Sequence, residues 1–390
     1  MTVIWAHDHR FYHYNSKVYS KVEFPSTLWE RYLKFTPTLK VISRLYELDK
    51  NDIQHIKNFN VSSSPNVHFM GVDYSGKALD YLKDYQSIKK NVSNEIKKAN
   101  KVIVRLPSLI GTVVGFEALK QKKPLSIELV GDPWDAYTNL PSKSAKIYAT
   151  LIYWQTKKIV EKANQVLYVT KSYLQKRYPN SSSDNINASN VNIKISHRIP
   201  KKLEKRNKQQ IGTIAFLSPY KGIDTAIEAL ARLNESNSTD YYLTILGTGE
   251  RKQYEDLAAR LGVLNFLKFK SLPSGQPVLD WLDSLDIYIQ PSRTEGLPRG
   301  LVEAMSRGIP SVGSNAGGIP ELLPEENVFN MGDSTQLQKK IQDLLSDEDK
   351  YFSVSQANLN KVKEYDSEYL RKKRDVFYKK FLEGEYNEHI

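Results

Sequence analysis

The chain has 390 residues, 40% apolar and 26% charged, a length that exceeds one core and points to two domains of a globular protein. It has no cysteine, which excludes a disulfide framework, a thiolate metal site and a cysteine nucleophile, and suits a reducing cytoplasm. The net charge of +12 is uneven, +18 over residues 1–209, −6 over 210–365 and zero over 366–390, so the front half either meets an anionic partner (nucleic acid, anionic membrane, phosphorylated substrate) or carries a solvated lysine-rich surface.

The opening MTVIWAHDHRFYHY lacks the apolar core of a signal peptide. The longest apolar stretch, 102–119, is broken by Arg105, Pro107 and Glu117, so no membrane span is expected. Strand candidates then follow at 2–6, 40–48, 67–72, 101–106, 125–130, 165–170 and 191–195, with helical patterns at 75–99, 107–122 and 143–163. Strands alternating with helices imply a parallel sheet covered on both faces. Helix 143–163 mixes Lys143, Lys146, Lys157 and Lys158 with Tyr148, Tyr153 and Trp154; it reads as an ordinary packed helix or as a peripheral contact with an anionic membrane.

Segment 198–210, RIPKKLEKRNKQQ, has no apolar period and reads as a linker. Beyond it come strands at 211–217, 241–246, 266–270, 285–290 and 309–314, with helices at 222–233, 250–262 and 301–307. The expected domains are 1–200 and 208–365, with a basic amphipathic helix over 366–390 returning to the first. Two such domains would leave a ligand cleft.

Ligands of open α/β sheets bind beyond the carboxyl ends of strands. SPYKG (218–222) opens a helix and adds Lys221, which suits phosphate or is a capped surface loop. GTGE (247–250) allows close backbone approach at Gly249 or is a plain turn. In TEGLPRGLVEAM (294–305), Glu295 and Glu303 flank a loop whose backbone N–H groups suit an anion, while each carboxylate suits sugar or ribose hydroxyls. Together they describe a nucleotide-sugar pocket, against the plainer reading of two solvated glutamates around a helix start. NAGGIPE (315–321) is a second glycine-rich turn. Asp347 and Asp349 spell Asp-x-Asp, a metal signature of a different transferase fold, but in a charged surface segment, and it is dismissed as one.

The stretches IAFLSPYKGIDTAIEAL, YYLTILGTGE and LDIYIQPSRTEGLPRGLVEAMSRGIPSVGSNAGGIPELL resemble, in order and spacing, the nucleotide-sugar-binding domain of retaining GT-B glycosyltransferases of family 4 (glycosyl transferases group 1). HDHRFYHY, WERYLK, GDPWDAY and YVTKSYLQKRYP resemble capsule and exopolysaccharide members. The resemblance implies two Rossmann-like, doubly wound domains facing a cleft. It implies transfer from a nucleotide sugar, foremost a UDP-sugar, to a glycan or lipid-linked glycan with retention, and no metal or other cofactor. It implies ribose binding by Glu303, sugar contact by Glu295, pyrophosphate binding by Lys221, and a cradle made by Gly296, Leu297, Pro298, Arg299, Gly300 and Leu301, with Gly249 beside it. The acceptor side falls to His7, His9 and Arg10, with Asp8 and His13 nearby, all placed after the first strand. A family histidine is absent near GDPWDAY, leaving Asp132, with Asp135 close by, as the nearest candidate for a catalytic contact. The family's usual arginine is replaced by Phe216, so Arg299 or Arg293 is expected to supply the missing cation. The competing readings are a nucleotide-sugar 2-epimerase of the same fold and a basic nucleic-acid-binding protein, the latter without a recognised module pattern. The expected location is cytoplasmic, with peripheral contact at the inner face of the plasma membrane.

Overall fold

β-Branched runs without polar alternation belong in strands covered on both faces. In the computed structural model, which describes residues 1–21, 23–49, 56–57, 59–73, 81–134, 143–204, 206–235 and 239–384, those runs form two sheets in two units. The first unit comprises residues 1–169, 174–188 and 371–390, and the second 170–173 and 189–370.

In the first unit the parallel strands β1 (Thr2–Tyr14), β3 (Thr38–Glu47), β5 (Val67–Gly71), β6 (Lys101–Leu106), β7 (Leu125–Leu129), β8 (Gln165–Tyr168) and β9 (Ile186–Asn187) lie in the order β5-β3-β1-β6-β7-β8-β9. Val3, Ile4, Trp5, Val102, Ile103, Val104, Leu125 and Ile127 are fully buried. β1 differs from expectation, because it does not stop at Ala6. Its register with β3 shifts between Ala6 and Arg10 and then resumes to His13. Ser43 Oγ donates to the carbonyls of His7 (2.7 Å) and His9 (2.6 Å), and Arg44 Nε to that of Asp8 (2.7 Å), which satisfies the bulged backbone. The second half of β1 also forms a hairpin with β2 (Lys17–Ser20), to which β4 (Asn60–Val61) adds.

The helix Ser367–Glu383 contributes its residues from Arg371 onward to this unit. Phe377, Tyr378, Phe381 and Leu382 are buried. Lys101 Nζ donates to the carbonyls of Phe381 (2.7 Å), Leu382 (3.1 Å) and Gly384 (2.6 Å), closing the helix end with a cation where the helix dipole is negative.

The second sheet holds β10 (Lys208–Ile214), β11 (Asp240–Leu246), β12 (Leu267–Lys270), β13 (Ile287–Gln290), β14 (Ser311–Ser314) and β15 (Val328–Phe329), all parallel, in the order β12-β11-β10-β13-β14-β15. This order reverses between β10 and β13, and such a switch point opens a crevice at the carboxyl ends of the strands. In the helix Ile223–Leu233 the i, i+3, i+4, i+7 set Ile223, Ala226, Ile227 and Leu230 is buried against Ile211, Leu243, Ile287 and Val312, which fixes the helix on the sheet.

Two expected features differ. Residues 191–195 form no strand, only a single bridge from Ile193 to Asp366. Segment 198–210 is not a linker: the chain changes unit at 188/189, β10 starts at Lys208, and Lys201 Nζ donates to the carbonyls of Asp283 (2.8 Å) and Leu285 (2.9 Å). Its polar residues are used to hold it on the surface of the second unit. Asp347 accepts from Lys350 N (2.9 Å) as the N-cap of the helix Glu348–Lys361, which accounts for that aspartate.

Candidate functional site

The parallel ladder between β10 and β11 continues past the strands. Ala215 N donates to the Leu246 carbonyl (3.0 Å) and Leu217 N to that of Thr248 (2.9 Å). The chain then turns through a short 3-10 segment, Pro219–Lys221, into the helix Ile223–Leu233. Gly222 joins the two at φ +64, and a Cβ there would stand 1.9 Å from the Pro291 carbonyl oxygen. Only glycine lets this turn rest on the end of β13. Arg293 stitches the two loops together: its guanidinium grips Asp224 bidentately (2.8 and 2.7 Å) and donates to the Pro219 carbonyl (2.7 Å), while its backbone N–H donates to the Tyr220 carbonyl (2.7 Å).

This brings together the two groups expected at the reaction centre. Lys221 Nζ lies 2.5 Å from Glu295 Oε1, with the side chains 17% and 11% exposed, so the pair is largely shielded from solvent. The same oxygen accepts from Ser292 Oγ (2.9 Å) and Gln290 Nε2 (3.2 Å). The loop 296–298 leads into the helix Arg299–Ser306, whose first turn, from Arg299 through Gly300 to Leu301, presents backbone N–H groups at the switch point. Pro298 is its N-cap. Gly300 has no room for a side chain, since a Cβ would stand 2.7 Å from Tyr288 Oη and 3.0 Å from Ile214 Cβ. Glu303 is half-buried on this helix, and among the described residues no donor reaches its carboxylate. Burial raises its pKa above the usual carboxylate range, with the charge of Arg299 opposing that shift.

Glycines of the neighbouring loops have structural reasons. Cβ atoms at Gly247 and Gly249 would meet the Ala215 carbonyl oxygen at 1.9 Å and Leu217 Cβ at 2.7 Å. In the 315–321 turn, Gly317 has φ +54 and a Cβ there would be 1.8 Å from the Glu295 carbonyl oxygen. Gly318 N donates to the Gly296 carbonyl (2.9 Å), and Leu297 Cδ1 would lie 3.2 Å from a Cβ on Gly318. This turn props the loop that carries Glu295. Of the two arginines expected to replace the missing cation, Arg293 is held by Asp224 and the Pro219 carbonyl, and Arg299 is exposed at the helix start. Phe216 is 58% exposed just beyond β10.

In the first unit the expected loop histidines are instead strand residues packed among aromatics. The His7 ring lies 5.9 Å from both Trp5 and Phe24, and the His9 ring 4.5 Å from Phe24. His7 Nδ1 donates to the Arg105 carbonyl (3.2 Å), and burial, aided by the charge of Arg105, holds its pKa well below the usual value. His9 is lowered by burial to about 4 and donates from Nε2 to Ser20 Oγ (2.7 Å). Both are neutral, and His7 keeps Nε2 as an acceptor. Arg10 is exposed, and His13 bonds Glu47 (2.7 Å). Asp8 accepts from Ser108 Oγ (2.8 Å) and the N–H groups of Leu109 (2.7 Å) and Ile110 (2.8 Å), so the chain's own carboxylate occupies the amino end of the helix Leu109–Lys120. Asp132 accepts from Tyr178 Oη (2.6 Å) and Trp134 N (2.9 Å) and pairs with Arg177, a buried arrangement that holds its own turn. Asp135 lies outside the described residues. Among those residues, no three His, Asp or Glu gather as a metal site.

Sequence reasoning missed Tyr288, Gln290, Ser292 and the Arg293–Asp224 pair. The first three left one signal, polar residues at alternate positions along and just beyond a central strand.

Residues 196–361 match the family Glycosyl transferases group 1. Protein CapJ of Staphylococcus aureus is 31% identical over 344 residues, covering 87% of this chain and 85% of CapJ. Sucrose-phosphate synthase from Thermosynechococcus elongatus superposes with a TM-score of 0.71 at 13% identity, over 99% of this chain and 100% of that one. HepE of Anabaena, solved with UDP, superposes with a TM-score of 0.63 at 15% identity, over 95% and 98% of the two chains. With two parallel-sheet units and the Lys221–Glu295 pair at the switch point of the second, this chain has the GT-B fold and belongs to the group 1 glycosyltransferases.

Proposed function

We propose that this enzyme transfers a sugar from a nucleotide sugar, foremost a UDP-sugar, to a glycan or lipid-linked glycan with retention, in the assembly of a capsule or similar surface polysaccharide. The observation that carries the reading is the shielded Lys221–Glu295 pair beside the first turn of the helix Arg299–Ser306. HepE's complex with UDP supports the donor, and similarity over about 30% of the chain to glycosyltransferases of amylovoran and colanic acid biosynthesis supports the pathway class.

The diphosphate lies against the N–H groups of residues 299–301 and draws Lys221 from Glu295. Glu295 then accepts hydrogen bonds from donor-sugar hydroxyls, and Glu303 from the ribose hydroxyls. Gly249, Gly296, Leu297 and Pro298 shape the cradle by backbone. As the bond from the anomeric carbon to the phosphate oxygen breaks, negative charge gathers where Lys221 and the helix end already point. Removing one such preorganised contact costs about 3–4 kcal/mol of barrier. The acceptor hydroxyl forms the new bond on the same face and passes its proton to the departing phosphate, so no strong base is needed. We assign the acceptor to the carboxyl edge of the first sheet, where His7 Nε2 can take a hydroxyl hydrogen bond and Arg10 an anionic group. Asp132 acts there by holding its turn. Leu151 and Trp154 stand exposed on the helix Lys143–Lys162, with Lys157 Nζ 5.3 Å from the Trp154 ring and Lys158 exposed beside them, a surface matched to the cytoplasmic face of an anionic membrane.

The test incubates the protein with UDP-glucose, UDP-galactose, UDP-N-acetylglucosamine, GDP-mannose and ADP-glucose and follows nucleotide release. One donor is expected to release its nucleoside diphosphate. An isomerised sugar nucleotide with no release, or no turnover of any donor, contradicts the reading.

A further inference from the structure

A central strand of a parallel sheet has no ordinary use for polar side chains, because both of its faces are covered. Around β13 three occur at alternate positions, and all are buried: Tyr288 at 0%, Gln290 at 2% and Ser292 at 0% exposure. Each is hydrogen-bonded to the next, and the direction of every bond is fixed. The Ile214 backbone N–H donates to Tyr288 Oη (3.2 Å). Burial raises the Tyr288 pKa, so the phenol keeps its proton and donates it to Gln290 Oε1 (2.9 Å). The Gln290 amide nitrogen must then face the other way, and it donates to Ser292 Oγ (2.9 Å) and to Glu295 Oε1 (3.2 Å). Ser292, having accepted, donates its own proton to Glu295 Oε1 (2.9 Å).

All contacts on Glu295 therefore converge on one oxygen. Oε1 takes Lys221, Gln290 and Ser292, while among the described residues nothing is bonded to Oε2. A carboxylate pinned by one oxygen keeps its plane and direction when a ligand removes Lys221. The chain of bonds starts on the β10 backbone beside Gly300, whose absent side chain lets the amino end of the helix Arg299–Ser306 rest against Tyr288 Oη. The anion cradle and the carboxylate thus share one rigid support.

We propose that Tyr288, Gln290 and Ser292 form a positioning relay that fixes Glu295 with Oε2 presented to the donor sugar, and that Gln290 and Ser292 are positioning residues for transfer. This rests on the assignment of Glu295 to the sugar.

The test uses Ser292→Ala, Gln290→Leu and Ser292→Thr, with Glu295→Gln as the reference. The substrate is whichever member of the donor panel above the wild type turns over. The expected result is a fall of kcat by roughly tenfold or more in Ser292→Ala and Gln290→Leu, with KM for the donor and binding of its free nucleoside diphosphate within about threefold of wild type. Ser292→Thr, which keeps the hydroxyl, recovers most of the rate. A purely structural role would lower Tm and leave kcat per folded molecule unchanged, and that result overturns the relay. Wild-type kcat in both variants with Glu295→Gln impaired also overturns the relay alone. Wild-type turnover in Glu295→Gln overturns the assignment of Glu295 itself.

Discussion

Glu303, which we propose binds the ribose, shows how such a group can burden the fold that carries it. Its carboxylate is half-buried with no donor among the described residues, and burial raises its pKa. The folded chain therefore holds this proton more tightly than the unfolded chain. The ionised side chain lowers stability above the usual carboxylate range, and that loss disappears as pH falls through the raised pKa. Glu303→Gln should accordingly match or exceed the wild-type Tm at pH 7 while binding UDP at least about tenfold more weakly, a cost of about 1.4 kcal/mol; a lowered Tm or an unchanged affinity contradicts this role. For the wild type, donor affinity should fall on acidification before ordinary surface carboxylates titrate. At this scale the positions of Lys221 and Glu295 in the loops beyond strands, and of Glu303 on the helix that follows, were legible, because the end of an apolar run marks where a strand gives way to a loop. Tyr288 and Gln290 were not legible as partners, since alternation says which face a side chain takes but not what it bonds. His7 and His9 were misplaced because a bulge, held by Ser43 and Arg44, let β1 run on.

Elements with long apolar runs were legible to within a few residues: β6 and β11 begin and end close to where their Val, Ile and Leu stop. β2, β4 and β9 were not: with four, two and two residues they carry no apolar run of their own, and they exist by pairing with neighbouring strands. The helix Lys143–Lys162 could be located from its pattern, but which face it exposes could not. It buries Ile152, Thr156, Ile159 and Val160 and leaves Leu151 and Trp154 outward. If that face meets lipid, the protein should float with vesicles of phosphatidylcholine and phosphatidylglycerol, less so with phosphatidylcholine alone, and Trp154→Ala should reduce the floated fraction severalfold. Equal flotation with both vesicles would remove the membrane assignment. Trp154 is 59% exposed, so its replacement should leave Tm within a few degrees.

Across the whole molecule the two units repeat one design, a parallel sheet whose strand order reverses beside its first strand, but the two switch points are filled differently. In the first unit Asp8 occupies the amino end of a helix with the chain's own carboxylate. In the second, the first turn of the helix Arg299–Ser306 has Lys221 and Glu295 beside it. The proposed placing of the diphosphate in the second unit rests on this local difference in charge, although the first unit carries the positive excess. The most direct test is calorimetric titration of UDP, GDP and ADP into the wild type and Lys221→Ala. The expected result is that at least one diphosphate binds the wild type and that Lys221→Ala weakens it tenfold or more with Tm nearly unchanged. Binding that does not respond to loss of Lys221, or no binding of any of the three, would contradict the account.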